Sequence, residues 1–494
     1  MTDYLHVIVR WIAILTFVTG TISLTGCGAS PSASIPDQAP ATPMLVQHVS
    51  SSSTRNNGFS SPFCYSYQLP GATTAGNSVV VGFTFLNNPT PTVSDDKGDN
   101  YAIVVNHFDN TDGVSVAIAA AIGVAAGARL ISVCFNADPG GFVQPIATEF
   151  DNLTGIDGPG TGNQGAGTVV TAGSLTPSAS GDLVYQVVAS LAPSRNQSSF
   201  TAGTQSNITW NLLSADLMDG LAAQFGVYDA TSAIDPTMTM GTGQDWASAA
   251  VLLKTGASGS VPSGMRIVHL VHENVPEHVS SGGTGNPFPN PLSIQFPSSG
   301  NLLLAMIGGG FDTVMVTSMT DTHNNTWAQA GLTEVVGNND IVQAFYAGSA
   351  TSSSNLDLTL NWTGGDGDFT VFFYDVTGAA ASPLDTAVGS TGTQTVAGNL
   401  TMPFTITPAT AHEIIFAQVI WDNNTGTGLL GQLFDTNTFS GESLSGPEPV
   451  DENNGWGHSI TTTTATVGFT WTALSPTLAV ANWAGNAVAF KAAN

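Results

Sequence analysis

The fold is decided by the stretch Val93-Ser94-Asp95-Asp96-Lys97-Gly98-Asp99-Asn100-Tyr101, which returns later in the chain as Met319-Thr320-Asp321 through Trp327. The offset is 226 residues (321 − 95), and it aligns Tyr101 with Trp327. Similarity at a nearly constant offset along a chain indicates an internal duplication. The sequence therefore predicts two copies of one structural unit.

The similarity extends outward from this stretch in both directions. Upstream, an apolar triplet recurs, and downstream an acidic residue followed by three apolar residues recurs; the matching segments are Val79–Val81 with Leu302–Leu304, and Asp182–Tyr185 with Glu413–Phe416. Each copy closes alike, with Trp246 and Lys254 in the first and Trp483 and Lys491 in the second. We predict domains at 44–255 and 265–494, joined by a Gly/Ser-rich linker at 256–264.

Short alternating apolar runs separated by Gly-rich turns predict an all-β fold of two tandem β-sandwich, jelly-roll-like domains. The Ala-rich segment Ser115–Ser132 resembles a helix in isolation. Its counterpart, Ile341–Leu358, has a Ser/Asn cluster between two alternating runs, which predicts strand, turn and strand in both copies. One short helix is predicted at 212–224.

The order of these motifs resembles a sandwich module that is repeated in secreted and cell-surface proteins of soil bacteria. The resemblance rests on the Asp turn at Val93–Tyr101, on Tyr374-Asp375-Val376-Thr377-Gly378 and on Pro383-Leu384-Asp385. The second copy departs from the pattern, with Asn324 in place of the turn glycine. The resemblance implies a surface location and a sandwich fold, and it implies no activity.

The N-terminal segment 1–26 has one cation, Arg10, and an apolar run from Trp11 to Leu24, which is typical of a signal peptide. It ends in Leu24-Thr25-Gly26-Cys27, which resembles the lipobox of bacterial lipoproteins. That resemblance implies cleavage before Cys27, acylation of Cys27, for example by palmitate, and a flexible tether over 27–43. Gly28 then implies sorting to the outer membrane or cell surface. The alternative is an ordinary secreted protein.

The composition narrows the range of partners. The chain carries 35 acidic and 8 basic residues and a net charge of −27, so it repels phosphate backbones and nucleic acid is not expected as a partner. Carboxylates with few bases also suit acidic surroundings, in which self-repulsion is reduced. With Cys27 acylated, Cys64 and Cys134 remain, and we predict a disulfide between them in an extracytoplasmic compartment.

Two groups of residues are candidates for a metal site. Asp95 and Asp99 resemble part of a calcium loop, but Lys97 and the early Gly98 break the pattern of alternate oxygens, and a hairpin turn explains the stretch better. His269 and His272 lie too close in sequence for the helical zinc motif and point to opposite faces of a strand. We therefore expect no cofactor, with calcium as the alternative.

Aromatic residues that do not recur are candidates for ligand binding. Trp456 follows a polar segment that contains Asp451, and Trp421 precedes Asp422 and two asparagines. Exposed Trp beside carboxylates and amides suits sugar binding, whereas a Trp folded back onto the sandwich needs no ligand. If a ligand site exists, the sequence places it at Trp421, Asp451 and Trp456.

The expected function is a non-enzymatic, lipid-anchored surface protein with a role in adhesion or glycan binding. The alternatives are an extracellular carbohydrate-active enzyme or its accessory module, and a purely structural envelope component. The sequence contains no lipase-type serine motif, P-loop or dinucleotide fingerprint. It leaves the ligand and the oligomeric state open.

Overall fold

The computed structural model describes most of the chain after residue 41. The described residues are 42–51, 63–140, 143–191, 197–216, 220–256, 264–275, 292–298, 300–309, 315–336, 340–363, 369–394, 400–422, 433–435, 440–442, 453–461, 463–473 and 481–493. Cys27, Asp451 and the predicted signal peptide and tether up to residue 41 lie outside them.

The described part is all-β, as predicted, and it contains no helix. The strands of the first copy are β1 (Leu45–Ser51), β2 (Phe63–Gln68), β3 (Ser78–Leu86), β4 (Pro91–Asp95), β5 (Ala102–Asp109), β6 (Val114–Ala121), β7 (Leu130–Phe135), β8 (Val143–Phe150), β9 (Leu153–Ile156), β10 (Thr161–Thr171), β11 (Asp182–Ser190), β12 (Phe200–Thr201), β13 (Asn211–Asp216), β14 (Leu221–Tyr228) and β15 (Thr237–Thr255).

The strands of the second copy are given next, also in chain order. They are β16 (Arg266–Val275), β17 (Leu292–Ser298), β18 (Leu302–Gly309), β19 (Met315–Asp321), β20 (Ala328–Gln329), β21 (Glu334–Val336), β22 (Asp340–Gly348), β23 (Ser353–Thr363), β24 (Phe369–Thr377), β25 (Ala379–Gln394), β26 (Leu400–Ile406), β27 (Ile414–Asp422), β28 (Leu433–Asp435), β29 (Ser440–Glu442), β30 (Asn453–Ile460), β31 (Val467–Ala473) and β32 (Ala481–Ala492).

Strand pairing repeats between the copies, which supports the duplication. In the first copy β1 pairs with β8, β8 with β3, and β3 with β6; in the second, β16 pairs with β24, β24 with β18, and β18 with β22. The Ala-rich segment forms β6 and β7, as its counterpart predicted. The helix predicted at 212–224 is wrong, because its described residues belong to β13 and β14. Pairing with neighbouring strands overrides the local pattern there.

The two copies share their two largest sheets. We call the sheet with strand order β20-β22-β18-β24-β16-β1-β8-β3-β6-β5 the central sheet, and the sheet with order β10-β15-β11-β14-β13-β17-β23-β19 the outer sheet. Both contain strands of both copies, whereas each of the three smaller sheets is built from strands of one copy, and the arrangement of sheets is sandwich-like. Residues 40–494 form one compact unit. The boundaries at 255 and 265 stay a prediction, since 257–263 lie outside the described residues.

Alternation along the central strands explains the layers. In β18, Leu302, Leu304 and Met306 pack into the core on one face, and Leu303 and Ala305 pack into the core on the other. Successive strand residues point to opposite faces, so an unbroken apolar run indicates a strand that is covered on both sides. The central sheet is thus covered by other strands on both faces.

The faces of the central sheet are covered differently in the two copies. On one face, strands β2-β7-β4 cover the first copy and strands β25-β32-β27-β30-β29 cover the second. On the other face, the outer sheet covers both: β11, β14 and β15 lie over the first copy and β23 over the second. Equivalent covering sheets therefore lie on opposite faces of the central sheet.

The predicted pair of cysteines meets in the small sheet of the first copy. Cys64 on β2 lies directly opposite Cys134 on β7, and their sulfurs are joined in a disulfide. The bond closes a loop with a sequence separation of 70 residues. A loop of this length restricts the unfolded chain and so stabilises the folded one.

We expect reduction of this disulfide, or the double change Cys64→Ser/Cys134→Ser, to lower the free energy of unfolding by about 2–4 kcal/mol. Denaturant titration with and without reductant measures the change. Thiol titration of the unfolded, unreduced protein without its signal segment provides the check: finding both Cys64 and Cys134 as free thiols contradicts the bond.

Candidate functional site

The two copies meet at a parallel strand pair in the middle of the central sheet. β1 runs beside β16, with His48 opposite His269 and Val49 opposite Leu270. β8 and β24 flank this pair on either side. We call this four-strand region the seam. It brings together the buried side chains of Gln47, His48, Glu149, His269 and Asp375, and it is therefore the candidate functional site.

In the first copy the seam is fixed by Gln47 and Glu149. The Gln47 amide donates to a Glu149 carboxylate oxygen and to the carbonyl of Gly71, and its own oxygen accepts from the Gly71 amide at 2.6 Å. The other Glu149 oxygen accepts from the Thr74 amide at 2.9 Å and from Asn77 at 2.6 Å. Burial nonetheless raises the pKa of Glu149.

In the second copy His269 and Asp375 occupy the corresponding places. His269 Nδ1 lies 2.8 Å from Asp375 Oδ2, and both side chains are buried. Asp375 Oδ1 accepts from the Gly300 amide at 2.8 Å, as Glu149 accepts from Thr74 in the first copy. The His269–Asp375 hydrogen bond is thus the second-copy equivalent of the Gln47–Glu149 hydrogen bond. It joins β16 to β24, as the first-copy bond joins β1 to β8.

These contacts bear on whether His269 and His272, the weak candidates for a metal site, could bind a metal ion. The described partner of His269 Nδ1 is a carboxylate that also holds a loop amide, which is a structural pairing. His272 lies in β16 opposite Ser51, and its side chain is outside the described part. Among the described residues, no group of three or more His, Cys, Asp or Glu is placed to hold a metal ion.

His48 is the second histidine of the seam and is fully buried. Its Nδ1 lies 3.1 Å from Thr148 Oγ1, and its ring meets that of His269 edge-on, with centroids 5.9 Å apart. Burial, and secondarily repulsion from His269, hold the pKa of His48 well below its ordinary range. The folded protein therefore keeps this imidazole neutral.

A small pocket lies on one face of the seam. It is lined by Gln47 of β1 and Arg266 of β16, and also by Gly71, Ile414 and His458. Its volume is about 90 Å³, roughly that of three water molecules in the liquid. A sugar ring or a drug-sized ligand needs several times this volume.

Arg266 gives the pocket its positive charge. Its guanidinium donates to the Val46 carbonyl and so joins β16 to β1 across the seam. Burial lowers the pKa of Arg266, while the charges of Asp375, Glu149 and Asp151 oppose that shift. The three acids nearby make a bound anion unfavourable, so the arginine acts as their counter-charge within the fold.

The contacts of Asp95 and Asp99 are those of a turn. Asp95 Oδ1 accepts from the amides of Lys97 and Asp99, and Oδ2 accepts from the Tyr101 hydroxyl at 3.2 Å. Asp99 accepts from the Ala125 amide with both oxygens. The second copy repeats the pattern through Asp321, with the Trp327 indole at 2.7 Å. These oxygens are occupied by donors, which favours the turn over calcium.

The tryptophans predicted for a ligand site are in strands and are buried. Trp421 on β27 and Trp456 on β30 are each 2% exposed. The Trp456 indole donates to Gln418 at 3.0 Å and its ring packs on Phe372. The expectation of exposed, sugar-stacking tryptophans at these positions is wrong. Trp456 lies opposite Gln418 where Gln224 lies opposite Gln186 in the first copy, so its side chain replaces a buried glutamine.

Sequence reasoning missed Glu149, Asp375 and Arg266. Only Arg266 carried a signal in the sequence. Basic residues are scarce, with 8 in the chain, and Arg266 lies just after the linker. The acids carry no local signal of burial, because their hydrogen-bond partners are 72 to 106 residues away in sequence.

In comparison with known proteins, no protein-family model and no curated protein matches the chain. The described residues also contain no helix long and apolar enough to cross a membrane.

We expect Trp456→Ala to lower the free energy of unfolding by about 3–5 kcal/mol, because it leaves a large cavity and removes the donor to Gln418. Denaturant titration provides the measurement. Leu332→Ala, at a side chain that is 76% exposed, serves as the control and should have little effect. An unchanged stability of the Trp456 variant would contradict its place in the core.

The buried, neutral His48 predicts a loss of stability in acid. The unfolded chain binds a proton at this residue as the pH falls through about 6.5, whereas the folded protein resists it. The contribution of His48 is thus present above that pH and is lost below it. We expect His48→Gln to reduce the loss of melting temperature between pH 6.5 and 4, relative to the wild type. His412→Asn, at an exposed histidine, is the control and should leave the slope unchanged.

Proposed function

We propose that this chain is a non-enzymatic, lipid-anchored protein of the outer membrane or cell surface, which holds a rigid β body outside the cytoplasm. The observation that carries the proposal is the sequence Leu24-Thr25-Gly26-Cys27 behind a short apolar run. Acylation at Cys27 would leave the residues up to about 43 as a tether for the body.

Two features of the described residues support this location. The Cys64–Cys134 disulfide suits an oxidising compartment, since cytosolic thiols are kept reduced. The tether meets the body at β1, which lies in the middle of the central sheet. A pull on the anchor would therefore act on a strand that is paired on both sides.

The role in adhesion or glycan binding is proposed without a defined site. Trp421 and Trp456 are in the core, and the seam pocket is too small for a sugar ring. Any contact with a glycan or a surface partner would have to use exposed strands and loops. A glycan array with residues 44–494 tests this part of the proposal.

The carbohydrate-active enzyme is a weaker alternative on the evidence of the buried acid pairs. A retaining glycosidase separates its two carboxyl groups by about 5 Å and an inverting one by more. The carboxyls of Asp157 and Asp182, and those of Asp385 and Glu413, are within hydrogen-bonding reach of each other. A sugar ring cannot lie between groups in direct contact.

We expect Cys27→Ser to move the full-length protein from the membrane fraction to the soluble fraction, or to leave the signal peptide uncleaved. Incorporation of an alkyne-labelled fatty acid should be lost at the same time. Ser30→Ala, three residues further along the tether, should behave like the wild type. Unchanged fractionation and labelling of the Cys27 variant would overturn the lipoprotein proposal.

A further inference from the structure

Two acids of the first copy are buried against each other outside the seam. Asp182 begins β11 and is 2% exposed, and its carboxyl group lies within hydrogen-bonding reach of that of Asp157. Asp157 follows β9, and its Oδ2 accepts from the Ser178 amide at 2.5 Å. Its other oxygen lies 3.5 Å from the Lys254 ammonium.

The second copy repeats this pair with different residues. Glu413, which directly precedes β27, corresponds to Asp182, and Asp385 on β25 corresponds to Asp157. Asp385 Oδ2 accepts from the Ala409 amide at 2.8 Å, as Asp157 does from Ser178. Glu413 Oε1 accepts from the amide and the hydroxyl of Thr410, at 2.9 and 2.7 Å.

One oxygen of each deeper acid has no donor. Among the residues that the structure describes, Asp182 Oδ2 and Glu413 Oε2 are buried atoms without a hydrogen-bond partner. A buried carboxylate oxygen without a donor is costly, and the same deficit occurs at corresponding places in both copies. Each of these acids faces a second carboxyl group, which can supply no hydrogen while both are ionised.

We propose that each copy contains a proton-binding site, in which Asp182 in the first copy and Glu413 in the second carry a proton and donate it to Asp157 and Asp385. One proton per pair removes a buried charge and supplies the missing donor at the same time. The second acid of each pair stays ionised, held by a backbone amide and, in the first copy, by Lys254.

The electrostatics of the pair agree with this assignment. Burial, and then the neighbouring Asp157, raise the pKa of Asp182 to about 6. Burial opposes ionisation of Asp157, but the Ser178 donors, Asp182 and Lys254 outweigh it and lower the pKa of Asp157. Burial, opposed by Thr410 and reinforced by Asp385, raises the pKa of Glu413.

The sign of the effect on stability follows from the raised pKa values. The folded protein binds these protons more tightly than the unfolded chain, in which carboxyl groups titrate near pH 4. The stabilisation is complete below that pH and is lost as the pH rises through about 6 at Asp182. His48 acts in the opposite direction, so only comparison with matched variants isolates the pairs.

A metal cation is the competing occupant. Calcium takes 6–8 oxygen ligands, whereas each pair offers two carboxyl groups whose other oxygens already accept from amides, a hydroxyl or a lysine. A proton needs only the two oxygens that face each other. The geometry therefore favours the proton.

The test uses Asp182→Asn and Glu413→Gln, singly and together, in residues 44–494 of the protein with its disulfide intact. An amide keeps the acceptor oxygen and places an N–H where the proposed O–H lies, so it mimics the protonated form at every pH. We expect the melting temperature of each variant to exceed that of the wild type at pH 7.5, and the difference to shrink towards zero as the pH falls to about 4. Asp138→Asn, at an exposed acid, should change neither.

Proton counting tests the sites directly in the folded protein. Potentiometric titration from pH 7.5 to 4 should show the double variant taking up fewer protons than the wild type, by about one at Asp182 and by a further amount at Glu413. The infrared band of protonated carboxyl groups in the wild type should lose intensity over the same range of rising pH. Equal proton uptake by both proteins would overturn the proposal. A rise of the wild-type melting temperature with calcium at pH 7.5, absent in the double variant, would assign the sites to a cation instead.

Discussion

The parallel pairing of β1 with β16 is the constraint on which the rest of the architecture depends. β1 and β16 are equivalent strands of the two copies. Because they pair in parallel, a half-turn about an axis along the strands relates one copy to the other. This rotation exchanges the two faces of the sheet. The covering sheets of the two copies must then lie on opposite faces, as they do. The pairing also covers the edge that β1 and β16 would each leave exposed if the two copies were separate.

The same rotation explains why the pocket lies where it does. On the outer-sheet face, β13 of the first copy pairs with β17 of the second, at Ala215 and Gln295, and so closes the gap over the seam. On the other face the strands that cover the two copies belong to different sheets in the described part. The pocket beside Arg266 is what remains between them. It follows from joining two copies whose covering sheets have diverged in detail.

The sequence predicted what depends on local pattern and repetition. The Asp turns at Asp95 and Asp321, the strands on either side of the Ala-rich turn and the partnership of Cys64 with Cys134 could all be inferred from residue types and their recurrence. What depends on contacts between distant segments could not. Trp456 looked like a loop residue because it follows a polar segment, and only the strand pairing reveals that it takes the place of Gln224 and donates to a buried glutamine, as Gln224 does. Likewise the sequence left His269 without a partner, and only the strand pairing places Asp375 beside it.

A shortage of cations accounts for the chemistry of the interior. The chain has 35 acids and 8 basic residues, so ion pairs are not available for most carboxyl groups that the fold buries. Glu149 is instead held by an amide, an asparagine and a glutamine, and the one arginine of the seam is shared among three acids. Where two buried acids meet, as at Asp157 and Asp182, binding one proton is the least costly way to remove one of the two buried charges. Hydrogen bonds and protons thus do in this protein what salt bridges do in more evenly charged ones.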